Sequence, residues 1–151
     1  MSLSRAAETS SDCGFTKLTR IVGETRLRST LDRLGLTREM DLGETFAVGG
    51  NTVSMLELAQ VFTSLLAETP RRVRFVESWD GAVPTPLASA ISPTVSRDVA
   101  GLVLDTLAGV TSDGTAAGAS LGPIRSAGKT GTTGESTDVW FVGGATNYVT
   151  V

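Results

Sequence analysis

Gly128-Lys129-Thr130-Gly131-Thr132 is the stretch of this sequence best equipped for chemistry. An ammonium group attracts a carboxylate, and threonine hydroxyls add directional hydrogen bonds to it. Gly131 leaves room for a peptide to lie against the backbone as an added strand. Lys129 is not background surface charge: Lys+Arg total 13, yet Lys17 and Lys129 are the only lysines. A plain Gly/Thr hairpin with a solvated lysine accounts for the same residues, so their surroundings must decide.

Two other chemistries share part of this spelling. A phosphate-binding loop, G-x-x-x-x-G-K-[ST], needs a glycine five residues before Gly128 and a helix after the lysine. Pro123 occupies that position, and Gly131-Thr132-Thr133-Gly134 follows instead of a helix. Ser126-Ala127-Gly128-Lys129 also spells a serine-x-x-lysine nucleophile pair. That pair works on a helix, where residues i and i+3 share a face and the amine reaches the hydroxyl. On a strand, residues three apart point to opposite faces. If this stretch is a strand, the match is a decoy.

Composition narrows the field. The 151 residues suit one ordinary domain, and 40% hydrophobic with 19% charged residues describes a globular chain. The formal charge of -3 argues against nucleic acid as a partner. No apolar run approaches the roughly 18 residues of a membrane span, and no signal peptide is visible. The absence of histidine removes histidine-based serine and cysteine triads and most zinc sites. Cys13 is the sole cysteine and reads as a small, partly buried side chain.

The elements that must hold Lys129 follow from periodicity. Phe15, Leu18, Ile21 and Val22 predict a helix capped by Asp12 and ended by Gly23. Thr25–Leu34 predicts a second helix, stopped by Gly35. Thr37–Asn51 reads as loop. Ser54-Met55-Leu56-Glu57 is a capping box opening a third helix, with Leu58, Val61, Phe62 and Leu65 on its apolar face and Pro70 closing it. Arg72–Trp79 with Asp80-Gly81 predicts a short hairpin, and Pro84 and Pro86 mark a linker. Ser92-Pro93 predicts the start of a helix whose buried stripe is Val95, Val99, Leu102, Val103 and Leu107. Thr111–Gly122 reads as loop. Ile124–Thr130, Val139–Gly143 and Tyr148–Val151 then predict three short strands. Helices followed by consecutive antiparallel strands indicate an α+β arrangement.

With those elements in place, the sequence resembles the transpeptidase domain of bifunctional (class A type) penicillin-binding proteins. The resemblance rests on Ala127–Thr133, on Asp138-Val139-Trp140-Phe141-Val142-Gly143, on Ala47–Ala59 and on the region from Ser92-Pro93 to Val110. It implies part of a penicillin-binding/serine β-lactamase-like fold, with helices packed on an antiparallel sheet. It also implies roles. Lys129 supplies positive charge, Thr130 and Thr132 contact a substrate carboxylate beside Gly131, and the Thr132 backbone N–H is one of two oxyanion donors. The family's serine-x-asparagine motif matches Ser10-Ser11-Asp12, so Ser10 relays protons to the leaving group. Asp12 replaces the expected asparagine with a group that only accepts hydrogen bonds, and it places negative charge beside a carboxylate site. A Ser/Asp helix cap without catalytic role accounts for the same residues.

The family's third motif, a helical serine-x-x-lysine, has no match outside the decoy. The resemblance therefore implies a peptidoglycan D,D-transpeptidase that cross-links stem peptides through a serine acyl-enzyme, with β-lactam antibiotics as competing ligands and no cofactor or metal. It implies an extracytoplasmic protein held at the membrane by an N-terminal anchor that these residues do not include. Met1-Ser2-Leu3 reads as a cloning remnant. Residues 4–151 read as the C-terminal part of the domain, incomplete at both ends, because the strand ending at Val151 stops without a turn signal. Two readings stay open: a non-catalytic penicillin-binding-like module that binds peptide or a protein partner, favoured by Asp12, and an unrelated phosphate-binding protein.

Overall fold

The computed structural model describes residues 1–67, 78–82 and 95–151. Five helices and a three-stranded sheet are assigned there: α1 Leu3–Glu8, α2 Asp12–Val22, α3 Glu24–Arg33, α4 Met55–Leu66, α5 Arg97–Ser112, then β1 Ala127–Thr132, β2 Val139–Ala145 and β3 Tyr148–Thr150. Single 3-10 turns lie at Phe46–Val48 and Ala117–Ala119, inside the two stretches expected to be loop.

Serines start four of the five described helices, and α3 begins after Gly23 without a side-chain cap. Ser2 Oγ accepts the Arg5 N–H at 3.2 Å and so opens α1, which periodicity does not predict. Ser11, not Asp12, caps α2, accepting from the Gly14 N–H at 3.2 Å. Asp12 is the first helical residue, where its charge favours the positive end of the helix dipole. The capping box at Ser54 is complete: Glu57 N–H donates to Ser54 Oγ at 3.2 Å, and Ser54 N–H donates to Glu57 Oε2 at 2.7 Å. The closing Pro70 and nearly all of the Arg72–Trp79 hairpin lie outside the described residues. The turn at Asp80-Gly81 is described, bridged from Trp79 to Ala82.

The cap of α5 is Ser96, in extended conformation and bonded to the Val99 N–H, so this helix starts at Arg97; Ser92-Pro93 lie outside the described residues. The expected buried face of α5 needs correction, because it is rotated. Val99 is 46% and Leu102 67% exposed, whereas Ala100, Val110 and Thr111 are buried, with Leu107 partly so. Small residues such as Ala100 share the buried side with Val110, and a count of large apolar side chains does not detect them.

The sheet has order β1-β2-β3 and is antiparallel throughout, with Lys129 opposite Val142, Thr130 opposite Phe141 and Thr132 opposite Val139. β1 begins at Ala127 rather than Ile124. Ile124 pairs instead with Leu121 across the Gly122-Pro123 turn, and Arg125 forms an ion pair with Asp105 of α5.

Ala7, Val110 and Ala116 form the buried centre, with Phe15, Leu107, Ala119 and Phe141 packed against it. The Phe141 ring lies across the Gly128–Gly143 pair: a Cβ on either glycine would sit 2.5–2.7 Å from ring atoms. Gly143→Ala is therefore expected to destabilise the fold by about 1–3 kcal/mol, as overpacking does. A denaturation midpoint equal to that of the parent chain would show that the ring moves aside freely.

Candidate active site

The site grows from the junction of α1 and α2. α1 ends in a Schellman arrangement: the Ser10 N–H donates to Ala7 O at 3.1 Å and the Ser11 N–H to Ala6 O at 2.8 Å. The residue in the left-handed position of that turn is usually glycine, but here it is Ser10, with φ +51°. A side chain in that conformation costs about 1 kcal/mol. What it adds over glycine is a hydroxyl, and that hydroxyl meets Lys129.

Lys129 Nζ donates to Ser10 Oγ at 2.7 Å and to the Thr130 carbonyl at 2.8 Å. An ammonium carries three protons, so one remains for a further acceptor. The Ser10 oxygen accepts from Lys129, which leaves the Ser10 proton free to point elsewhere. Partial burial pushes the Lys129 pKa below 10.5, and the nearby charge of Asp12 opposes that shift. The burial cost to the ammonium is present at neutral pH. It is relieved as pH rises from the lowered pKa toward 10.5, where the unfolded chain still holds the proton.

The backbone of β1 completes the arrangement. The Thr133 N–H donates to Asp138 O at 3.1 Å. Antiparallel pairs alternate between bonded and non-bonded types. The neighbouring pair Thr132–Val139 is thus non-bonded, and Thr132 turns its N–H away from β2. Thr130, two residues earlier, does the same, which is why its carbonyl is available to Lys129. β1 is the edge strand of the described sheet, so these groups face outward.

The side-chain hydroxyls divide into two sets. Thr130 Oγ1 lies 2.9 Å from Thr115 Oγ1. Ser126 belongs to α5: its carbonyl accepts from Thr111 Oγ1 at 2.8 Å, and its own hydroxyl lies 3.5 Å from the same atom. No hydrogen bond joins Ser126 to Lys129 among the described residues, as expected for a decoy. Ser10, Lys129, Thr130 and the Thr132 backbone are gathered at one edge, with Gly131 exposed between them and Asp12 close enough to act on Lys129 by its charge. Cys13, expected to be partly buried, is exposed.

Thr115 is the participant that sequence reasoning missed. It lies in a Gly/Ala/Ser/Thr-rich loop with no periodicity to single it out. The described residues hold no group of three or more His, Cys, Asp or Glu able to bind a metal, and no helix among them is long and apolar enough to cross a membrane.

Comparison with known proteins identifies the family and the fold. The family model for the penicillin binding protein transpeptidase domain matches residues 1–149. A solved D,D-transpeptidase domain of a peptidoglycan glycosyltransferase from Eggerthella lenta is similar, at TM-score 0.72 and 26% identity, over 97% of this chain and 46% of that one. PBPA from Mycobacterium tuberculosis shares the fold at TM-score 0.73 and 21% identity, over 97% of this chain and 42% of its own. Penicillin-binding protein A from M. tuberculosis, solved as an imipenem acyl-enzyme complex, shares it at TM-score 0.71 and 16% identity, over 97% and 39%. The chain thus spans less than half the length of these structures. No curated protein sequence matches it.

Proposed function

The chain belongs to the penicillin-binding protein transpeptidase domain family, and from that premise we propose that residues 4–151 are the C-terminal part of a D,D-transpeptidase domain of the class A type. They supply the substrate-holding wall and the proton relay of a site whose nucleophile comes from sequence outside these 151 residues. The observation that carries this reading is the 2.7 Å contact between Lys129 Nζ and Ser10 Oγ at an open strand edge.

In the proposed reaction a helical serine, paired with its own lysine, attacks the D-Ala-D-Ala carbonyl of a peptidoglycan stem peptide. A stem peptide lies along β1 beside Gly131, its terminal carboxylate held by the hydroxyls of Thr130 and Thr132 and by the charge of Lys129. The developing oxyanion receives the Thr132 N–H, which the ladder leaves free. Ser10, its oxygen fixed by Lys129, aims its proton at the leaving nitrogen. Expulsion of the terminal residue leaves an acyl-serine, which an amine of a second stem peptide then attacks. Penicillins follow the first half of this path, with the ring nitrogen as the tethered leaving group. The whole protein acts outside the cytoplasm, anchored at the membrane through another part of its sequence.

No helical serine-x-x-lysine occurs among these residues: Gly14 stands three before Lys17, and Ser126 is bonded to α5. This chain alone is therefore expected to retain no fluorescent penicillin after denaturing electrophoresis. A longer protein that adds such a helix retains it. Label on the bare chain would overturn the assignment. Asp12 supports a second reading, a non-catalytic module that binds peptide or a protein partner, because its charge works against a carboxylate ligand. Failure of the longer protein to take up label would favour that reading.

A further inference from the structure

We propose that Thr115 is a positioning residue for carboxylate recognition: its hydroxyl donates to Thr130 Oγ1 and so reserves the Thr130 proton for the ligand. This rests on the reading of Thr130 as a carboxylate contact. Thr115 follows α5, and three observations fix it. Its backbone N–H donates to Glu8 O, the last residue of α1, at 3.0 Å. The preceding Gly114 has no room for a side chain, since a Cβ there would lie 2.7 Å from Glu8 O and 2.8 Å from Val110 Cα. Its hydroxyl then stands 2.9 Å from that of Thr130. The same short segment therefore touches the end of α1, which carries Ser10 two residues later, and the strand that carries Lys129.

The direction of the Thr115–Thr130 bond follows from proton inventory. Each hydroxyl has one proton and can accept twice. If Thr130 donated to Thr115, a carboxylate beside it would face only lone pairs. A carboxylate accepts and never donates, so its arrival selects the other orientation, with Thr115 donating to Thr130 and Thr130 donating to the anion. Hydrogen bonds in such a chain polarise one another, which strengthens the last one.

The test compares a penicillin with its methyl ester in a longer protein that carries the nucleophile helix. The ester lacks the anion, so the ratio of acylation efficiencies, free acid over ester, isolates carboxylate recognition. Thr115→Val is expected to lower that ratio about three- to tenfold, the size of one lost neutral hydrogen bond. Thr115→Ser restores it, and Thr115→Ala repeats the loss without the branched methyl. An unchanged ratio in Thr115→Val and Thr115→Ala overturns the proposal. So does an equal fall for acid and ester, which marks a purely structural role. Thr130→Val separates the two levels: if it leaves the ratio unchanged, the carboxylate assignment of Thr130 itself is wrong, and Thr115 falls with it. If Thr130→Val lowers the ratio and the Thr115 variants do not, only the Thr115 inference fails.

Discussion

Thr132→Pro is expected to slow penicillin acylation of the longer protein by about 100- to 1000-fold while leaving its fold in place. Proline removes the backbone N–H and, with the side chain, the hydroxyl proposed to contact the carboxylate; loss of one oxyanion donor alone has that size of effect. In most strands the same change would break the sheet, because a ladder bond would go with the N–H. At Thr132 it does not. The Thr133 N–H to Asp138 O bond sets the phase of the ladder, and Thr132 faces the outer edge of β1. The preceding Gly131 is already extended, the conformation a following proline demands. The informative pair of measurements is the acylation rate and the melting temperature. A rate within a few-fold of the parent, with the fold retained, would place the oxyanion elsewhere. Collapse of the fold instead would mean that the Thr132 N–H is part of the sheet.

Lys129→Ala is expected to lower acylation by about ten- to a hundredfold, since hydrogen bonds to a charged group contribute about 1.5–3 kcal/mol each. The change removes the attraction for the carboxylate and releases the Ser10 oxygen. It should alter thermal stability little, because the two hydrogen bonds that Lys129 makes lie at a partly exposed edge. The pH profile offers a second reading. The ammonium is the useful form, and partial burial lowers its pKa from 10.5. Acylation in the parent should thus decline on an alkaline limb that begins below 10.5, and Lys129→Ala should lack that limb. Folding stability moves the opposite way in the same window, rising with pH as the buried charge is discharged. An alkaline limb that survives in Lys129→Ala would assign it to another group.

Much of this site could be read in the sequence because its strongest signals are local. Lys129-Thr130-Gly131-Thr132 enters an apolar strand, and the switch from helical to alternating period marks the sheet within a few residues. Ser54 and Glu57 declare a helix start by themselves. What escaped depends on contacts between distant parts. Ser11 caps α2 where the sequence points to Asp12, since a cap is settled by which backbone N–H groups point at it. The packed side of α5 includes buried Ala100 and Gly109, which lies against Glu8 of α1, and leaves Val99 and Leu102 exposed. α1 is only six residues long and has no period to detect, yet it ends in the turn that presents Ser10. Thr115 is one threonine among several in a featureless loop until β1 is laid beside it.

The bond between Lys129 and Ser10 joins positions 119 residues apart in sequence. Closing a loop of that size costs about 4 kcal/mol of chain entropy, while a single net hydrogen bond returns about 1 kcal/mol. The contact cannot gather the two ends of the chain. It forms only after Ala6, Ala7 and Glu8 have settled on α5 and brought the turn to the strand. Short-range pieces such as α2 and α4 can arise early, but the site has high contact order and must be among the last features to assemble. On the proposed function, binding competence would therefore report on completed folding: a chain whose helices have formed but whose α1 has not docked lacks the assembled site.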